Sequence, residues 1–122
     1  MILADTSVWI DHFRSPDPEL QRQLSNDAIA MHPFVVGELA LGPLPQRKKV
    51  LAYLDNLPHL RVASQQEVRH LIETSSLHNK GIGLIDAHLL AAVLITPGTL
   101  LWTRDTCLRK IAARTGVLAP LP

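Results

Sequence analysis

The chain has a single cysteine, Cys107. No intrachain disulfide and no cysteine-based zinc site can form, and a lone thiol suits a reducing cytoplasm. Aromatic residues are scarce at 4%, so packing has to come from Leu, Ile, Val and Ala. An excess of one charge is also missing. Twelve basic residues face eleven acidic ones, for a formal net charge of +1. That balance excludes a dedicated nucleic-acid coat, and it allows an acidic pocket with a basic rim. No apolar run is long enough to span a bilayer. The longest, from Leu84 to Ile95, is interrupted by Asp86 and His88, and reads as a central buried helix. The sequence opens Met-Ile-Leu-Ala-Asp with no basic leader or signal core. Repeats, low-complexity tracts and linkers are absent. The length of 122 residues and a hydrophobic fraction of 47% lead to one expectation: a single cytoplasmic domain, residues 1–122, with a real core.

What the chain does have is an acidic residue beside or inside each of four apolar stretches. Asp5 follows Met-Ile-Leu-Ala, and Glu38 follows Val-Val-Gly. Asp86 follows Gly-Leu-Ile, and Asp105 follows Leu-Leu-Trp-Thr-Arg. A carboxylate drawn into a core is costly unless a positive or hydrogen-bonding group compensates it. A chain that repeats the pattern gathers such acids around a cation.

The apolar and helical periods predict a strand over 1–4, a helix over 6–13 and a second helix over 19–26 behind the turn Ser15-Pro16-Asp17-Pro18. A strand over 28–32 leads into a helix begun by Pro33 and stopped by Gly42-Pro43. A helix to about Asn56, a strand over 60–63 and a long helix over 65–79 follow. Gly81-Ile82-Gly83 is a joint before the buried helix, 84–96. A strand over 99–103, a helix over 108–114 and an edge strand over 117–119 complete the chain. Short apolar strands alternating with helices imply an α/β fold with a central parallel sheet of four to five strands, covered on both faces. Ligands of such sheets collect at the carboxyl ends of the strands. Asp5 and Asp105 follow strands, Glu38 lies one turn into a helix, and Asp86 begins another. All four can face one sheet edge.

Hard divalent cations such as Mg²⁺ and Mn²⁺ prefer oxygen ligands and leave room for a substrate phosphate. Ser7 and Thr103 are candidate supporting hydroxyls. Helix capping competes with this reading, because Asp5 and Asp105 both sit where caps belong. Glu38 fits capping poorly, and Asp86 moderately. His88 points to another helix face than Asp86 and reads as a hydrogen-bonded, partly buried histidine. Cys107 reads as a small apolar residue. Trp9 and Trp102 read as core or dimer-contact residues rather than base-stacking platforms. Arg47-Lys48-Lys49, Arg104, Arg109, Lys110 and Arg114 are candidate RNA phosphate contacts, with a solvated helix face as the competing explanation for each. Arg104 adjoins Asp105.

At these residues the sequence resembles a PIN domain, and in particular the VapC toxins of bacterial type II toxin–antitoxin pairs. The segments that carry the resemblance are 5–10 (Asp-Thr-Ser-Val-Trp-Ile), 37–42 (Gly-Glu-Leu-Ala-Leu-Gly), 81–91 around Asp86, and 101–105 (Leu-Trp-Thr-Arg-Asp). They span nearly the whole chain, in the family's order. The resemblance implies a three-layer α/β/α sandwich and a Mg²⁺-dependent endoribonuclease, with Mn²⁺ as substitute, that cuts RNA phosphodiesters with metal-activated water. Asp5, Glu38, Asp86 and Asp105 would be catalytic, with Asp5, Asp86 and Asp105 holding the metal. It also implies a homodimer, inhibited by a VapB-like antitoxin in a heterotetramer or larger assembly. One departure stands out: Thr106-Cys107-Leu108 follows Asp105, where relatives often carry a basic residue.

Two other functions compete. Phosphoryl transfer through an aspartyl intermediate also uses an acid after a first strand, but Ser7 stands where phosphatases of that kind place a second acid. A catalytically silent module that sequesters antitoxin or RNA would have no reason to keep four costly acids.

Overall fold

The computed structural model describes residues 1–122. Its centre is a parallel sheet in the order β2-β1-β3, built from β1 (Ile2–Ala4), β2 (Ile29–Ala30) and β3 (Leu100–Trp102). Ile2 pairs with Ile29 on one side and Leu100 on the other, and Ala4 lies opposite Trp102. Leu3, Ala4, Leu101 and Trp102 are buried, which is why these strands read as unbroken apolar runs rather than alternating ones. Seven helices accompany the sheet: α1 (Thr6–Arg14), α2 (Pro18–Ser25), α3 (Pro33–Leu41), α4 (Arg47–Asp55), α5 (Gln65–Thr74), α6 (Leu84–Leu94) and α7 (Thr106–Arg114).

The chain runs from β1 to β2 on one side of the sheet and then returns to place β3 on the other side of β1. The strand order therefore reverses between β1 and β3. In open parallel sheets the crevice beyond the carboxyl ends of such a strand pair is where ligands bind. Asp5 and Thr103 each follow one of these two strands.

The sheet holds three strands where four to five were expected. In place of the strand expected over 60–63 there is one bridge just before it, Met31 with His59, and 117–119 contributes one bridge, Leu101 with Leu118. On the first edge, Pro58 has no N–H to give; its carbonyl accepts from Met31 at 2.7 Å and Leu60 N returns to Met31 O at 2.9 Å before the chain turns into α5. On the other, Pro120 ends pairing directly after Ala119 N has bonded Leu101 O at 2.8 Å.

Helix ends follow local chemistry. Asp17 accepts from the N–H groups of Glu19 and Leu20 ahead of Pro18, and Ser64 with Glu67 forms a reciprocal capping box at α5. Helix α5 stops at Thr74, short of the expected 79. Ser76 takes a left-handed conformation (φ 51°), and Leu77 N reaches back to Ile72 O at 2.9 Å, which closes the helix end. Helix α6 is buried from Ala87 to Val93, as its all-round apolarity required. No helix is long and apolar enough to cross a membrane. Trp9 and Trp102 are core residues, 1% and 0% exposed, packed with Leu3, Leu20, Leu90 and Leu108 in one cluster.

Candidate active site

Asp5 is the most constrained of the four acids. It caps α1, and its Oδ1 accepts from Ser7 N at 3.0 Å, from the Ser7 hydroxyl, and from Val8 N at 3.4 Å. Its Oδ2 accepts from the Thr103 hydroxyl. Those hydroxyls are themselves held from β3: Arg104 N donates to Ser7 Oγ at 3.1 Å, and Asp105 N donates to Thr103 Oγ1 at 3.1 Å. The backbone after β3 thus grips two hydroxyls, and the hydroxyls grip the carboxylate after β1. Burial, at 4% exposure, pushes the Asp5 carboxyl above its ordinary value, and the hydroxyl and N–H donors partly offset the rise.

The other three carboxylates are held more loosely. Asp105 caps α7 through Leu108 N at 2.8 Å and is exposed. Glu38 is exposed on α3 and accepts from the Thr6 hydroxyl at 2.9 Å. Asp86, in the first turn of α6, is partly buried and accepts a long 3.5 Å bond from Gly83 N. Capping and clustering therefore coincide: Asp5 and Asp105 cap helices, and the charge of each also acts on Asp86. Burial lay behind the expectation of cost, and it applies to Asp5 and Asp86 alone. Glu38 and Asp105 face solvent because their helices present them outward.

Asp86 is in electrostatic reach of the other three. Burial raises the Asp86 carboxyl, Gly83 N–H works against the rise, and the negative charges of Asp5, Asp105 and Glu38 add to it. No three of these groups converge tightly enough to wrap a metal ion as they stand. The donor set nevertheless fits a hard divalent cation. It is all oxygen and all anionic. Glu38 Oε2, Asp86 Oδ1 and Asp105 Oδ1 have no partner within the chain, since the bonds above use the other oxygen of each group. Mg²⁺ keeps several waters and takes only one or two carboxylates directly, so a closed cage is not required.

Of the expected phosphate contacts, Arg104 is committed internally. Its guanidinium bonds Asp11 at 2.9 Å, Asp17 at 2.6 Å and the Pro122 carbonyl at 2.9 Å, and lies over the Trp102 ring. Arg109 donates to the carbonyls of Thr103 and Leu121 at 3.0 and 3.2 Å. Both arginines brace the turn after β3 and the C-terminal segment. Lys110 has no internal partner and is exposed. Sequence reasoning passed over Thr6 and Gly83, the partners of Glu38 and Asp86. Thr6 was visible as the residue next to Asp5, and Gly83 as the residue three before Asp86, the spacing of a capping carboxylate.

His88 is buried against Phe34, ring centroids 4.9 Å apart, with Nδ1 unpaired. His32, fully buried, caps α3 by accepting Phe34 N at 3.0 Å. Burial, with the nearby His88 and His59, lowers the His32 imidazole to about 4.

The family model for the PIN domain matches residues 2–114, which include the strand-order crevice and all four acids. The chain belongs to the PIN-domain family. It is 44% identical over 117 residues to Ribonuclease VapC32 of Mycobacterium tuberculosis, in both strain CDC 1551 / Oshkosh and strain ATCC 25618 / H37Rv. The match covers 96% of this chain and 94% of each relative.

Proposed function

We propose that this chain is the toxin of a type II toxin–antitoxin pair and cuts RNA as a Mg²⁺-dependent endoribonuclease, with Mn²⁺ as substitute. The observation that carries the reading is the gathering of acids at one sheet end: Asp5 follows β1, Asp105 follows β3, the two segments are tied together through Ser7 and Thr103, and Asp86 lies within the field of Asp5, Asp105 and Glu38. Like charges are brought together at a cost unless a cation belongs among them. Asp5, Asp86 and Asp105 would hold the ion, with Glu38 completing the set. A bound divalent cation supplies charge neutralisation at the phosphodiester and polarises oxygen there.

The chain's own groups do the rest. Ser7 and Thr103 fix the Asp5 carboxylate in one orientation. The three carboxylate oxygens without a partner in the chain are left to orient a water and accept its proton. The same reading takes the sheet as the middle layer of an α/β/α sandwich in one domain. It makes the chain a cytoplasmic homodimer, and the exposed side chains of Ile10, Leu41 and Leu84 are apolar surface that a partner would cover. A VapB-like antitoxin would silence the pocket in a heterotetramer or larger assembly. The relatives named as ribonucleases support RNA as the substrate.

The test is cleavage of RNA with Mg²⁺ by the purified protein and by Asp5→Asn. Cleavage by the first and background by the second is the expected result. Wild-type rates from Asp5→Asn overturn the mechanism.

A further inference from the structure

A second cleft of about 550 Å³ lies between residues 79–81 and one face of α7. Its charged residues are Lys80, Lys110 and Arg114, and no carboxylate lines it. Cys107, Lys110 and Arg114 recur along α7 at spacings that put them on one side of the helix. Lys80 and Lys110 are exposed and make no ion pair or hydrogen bond within the chain. Arg114 uses one nitrogen on the Ser75 carbonyl and keeps its other donors free. The two walls are held close: Gly81, at φ 78°, leaves so little room that an added Cβ would stand 2.9 Å from Cys107 Sγ.

Both walls lead to the candidate active site. The loop 79–81 runs into α6, whose first turn carries Asp86, and α7 begins at its cap, Asp105. A helix rises about 1.5 Å per residue, which sets Lys110 about 7.5 Å and Arg114 about 13.5 Å along α7 from Asp105. The cations thus form a track leading away from the acids. Exposed aromatic rings are absent from the cleft walls, so the grip on a strand would be on its charge and not on its bases.

We propose that this cleft holds the phosphodiester backbone of single-stranded RNA on one side of the cut, through Lys80 and Lys110, with Arg114 at the far end. The inference rests on the ribonuclease reading and extends it. The track positions the strand without reading its sequence, so selection among RNA sequences belongs to other surfaces.

The experiment is fluorescence anisotropy of a labelled single-stranded RNA with the full chain in EDTA, across a salt series. Lys80→Ala/Lys110→Ala is compared with wild type and with Arg22→Ala/Arg69→Ala, the same charge loss on α2 and α5. Each phosphate contact to a single strand contributes about 0.7 to the log–log salt slope, so the cleft pair lowers the slope by about 1.4 and raises Kd roughly 25-fold at 0.1 M salt. The loss is expected for every RNA sequence tried, with thermal unfolding unchanged. Equal Kd and slope in wild type and the cleft pair overturn the proposal, as do equal losses in the two pairs or no RNA binding by wild type. Unchanged RNA affinity with weakened binding of polyglutamate reassigns the cleft to an acidic protein partner and also overturns it. If wild type fails to cut RNA with Mg²⁺ while the cleft pair still sets affinity, the nuclease reading falls and the groove stands. If wild type cuts and the cleft pair binds and cuts equally well, the groove falls and the nuclease stands.

Discussion

The two halves of the acidic pocket are built differently. On the β1–β3 side, Asp5 accepts from two hydroxyls and two backbone N–H groups, and backbone N–H groups of the neighbouring strand end hold those hydroxyls in turn. On the α3–α6 side, Glu38 and Asp86 accept one bond each, from Thr6 and from Gly83. One half is fixed by the sheet itself. The other is carried on helices and keeps free oxygens toward solvent. The difference teaches how a site can be both placed and adaptable: under the proposed function the sheet end would set where a cation sits, and the helical carboxylates would adjust to it and to the substrate.

The largest effects are expected in the fixed half. Asp5→Asn should reduce RNA cleavage to background, read as product formed with Mg²⁺. Thr103→Val keeps the shape but removes the hydroxyl that holds Asp5 Oδ2 and receives Asp105 N. Partners of this kind are typically worth 10–100-fold in activity, and leaving buried acceptors short costs about 1–3 kcal/mol, so both kcat/KM and the unfolding midpoint should fall. A Thr103→Val enzyme with wild-type activity would break the contrast between the halves.

An intermediate effect is expected outside the pocket, at His32. Its imidazole is held to about 4 against an ordinary 6.5 by burial and by His88 and His59. The unfolded chain takes up a proton below 6.5 that the folded chain refuses until about 4. The stability from a neutral His32 is therefore complete above 6.5 and is lost as pH falls toward 4, by roughly 1–3 kcal/mol. Asp5 and Asp86, raised in the fold, act in the opposite sense as pH falls. Denaturant unfolding of wild type and His32→Asn across that range isolates the histidine, and the variant should lose stability less steeply.

The smallest effects on stability, and on activity from the loss of a tether, belong to the adaptable half. Asp86→Asn relieves the repulsion from Asp5, Asp105 and Glu38, so without divalent cations its unfolding midpoint should equal or exceed that of wild type by a few degrees while cleavage is lost. Thr6→Val frees Glu38 from its one tether and should slow cleavage only a few-fold. A loss as large as that of Thr103→Val would show that both halves are equally fixed.

Much of this arrangement was legible in the residues. The apolar run after Gly83 declared a buried helix, and the strand ends beside Asp5 and Asp105 declared the crevice. The edges of the sheet were not legible, because Pro58 and Pro120 act on pairing only once partner strands are in place. The internal partners of Arg104 were hidden for a similar reason: its neighbour Asp105 is obvious, but Asp11, Asp17 and the Pro122 carbonyl reach it only in the fold. The burial of the acids was also unequal, since an apolar neighbour in sequence does not fix the direction in which a helix presents Glu38 or Asp105.

Calorimetric titration with Mn²⁺ tests most directly whether the two halves serve one ion. Wild type should bind Mn²⁺ with measurable heat, and both Asp5→Asn and Asp86→Asn should abolish that binding while remaining folded. Wild-type Mn²⁺ affinity in Asp86→Asn, or no binding by wild type, would contradict a shared cation site.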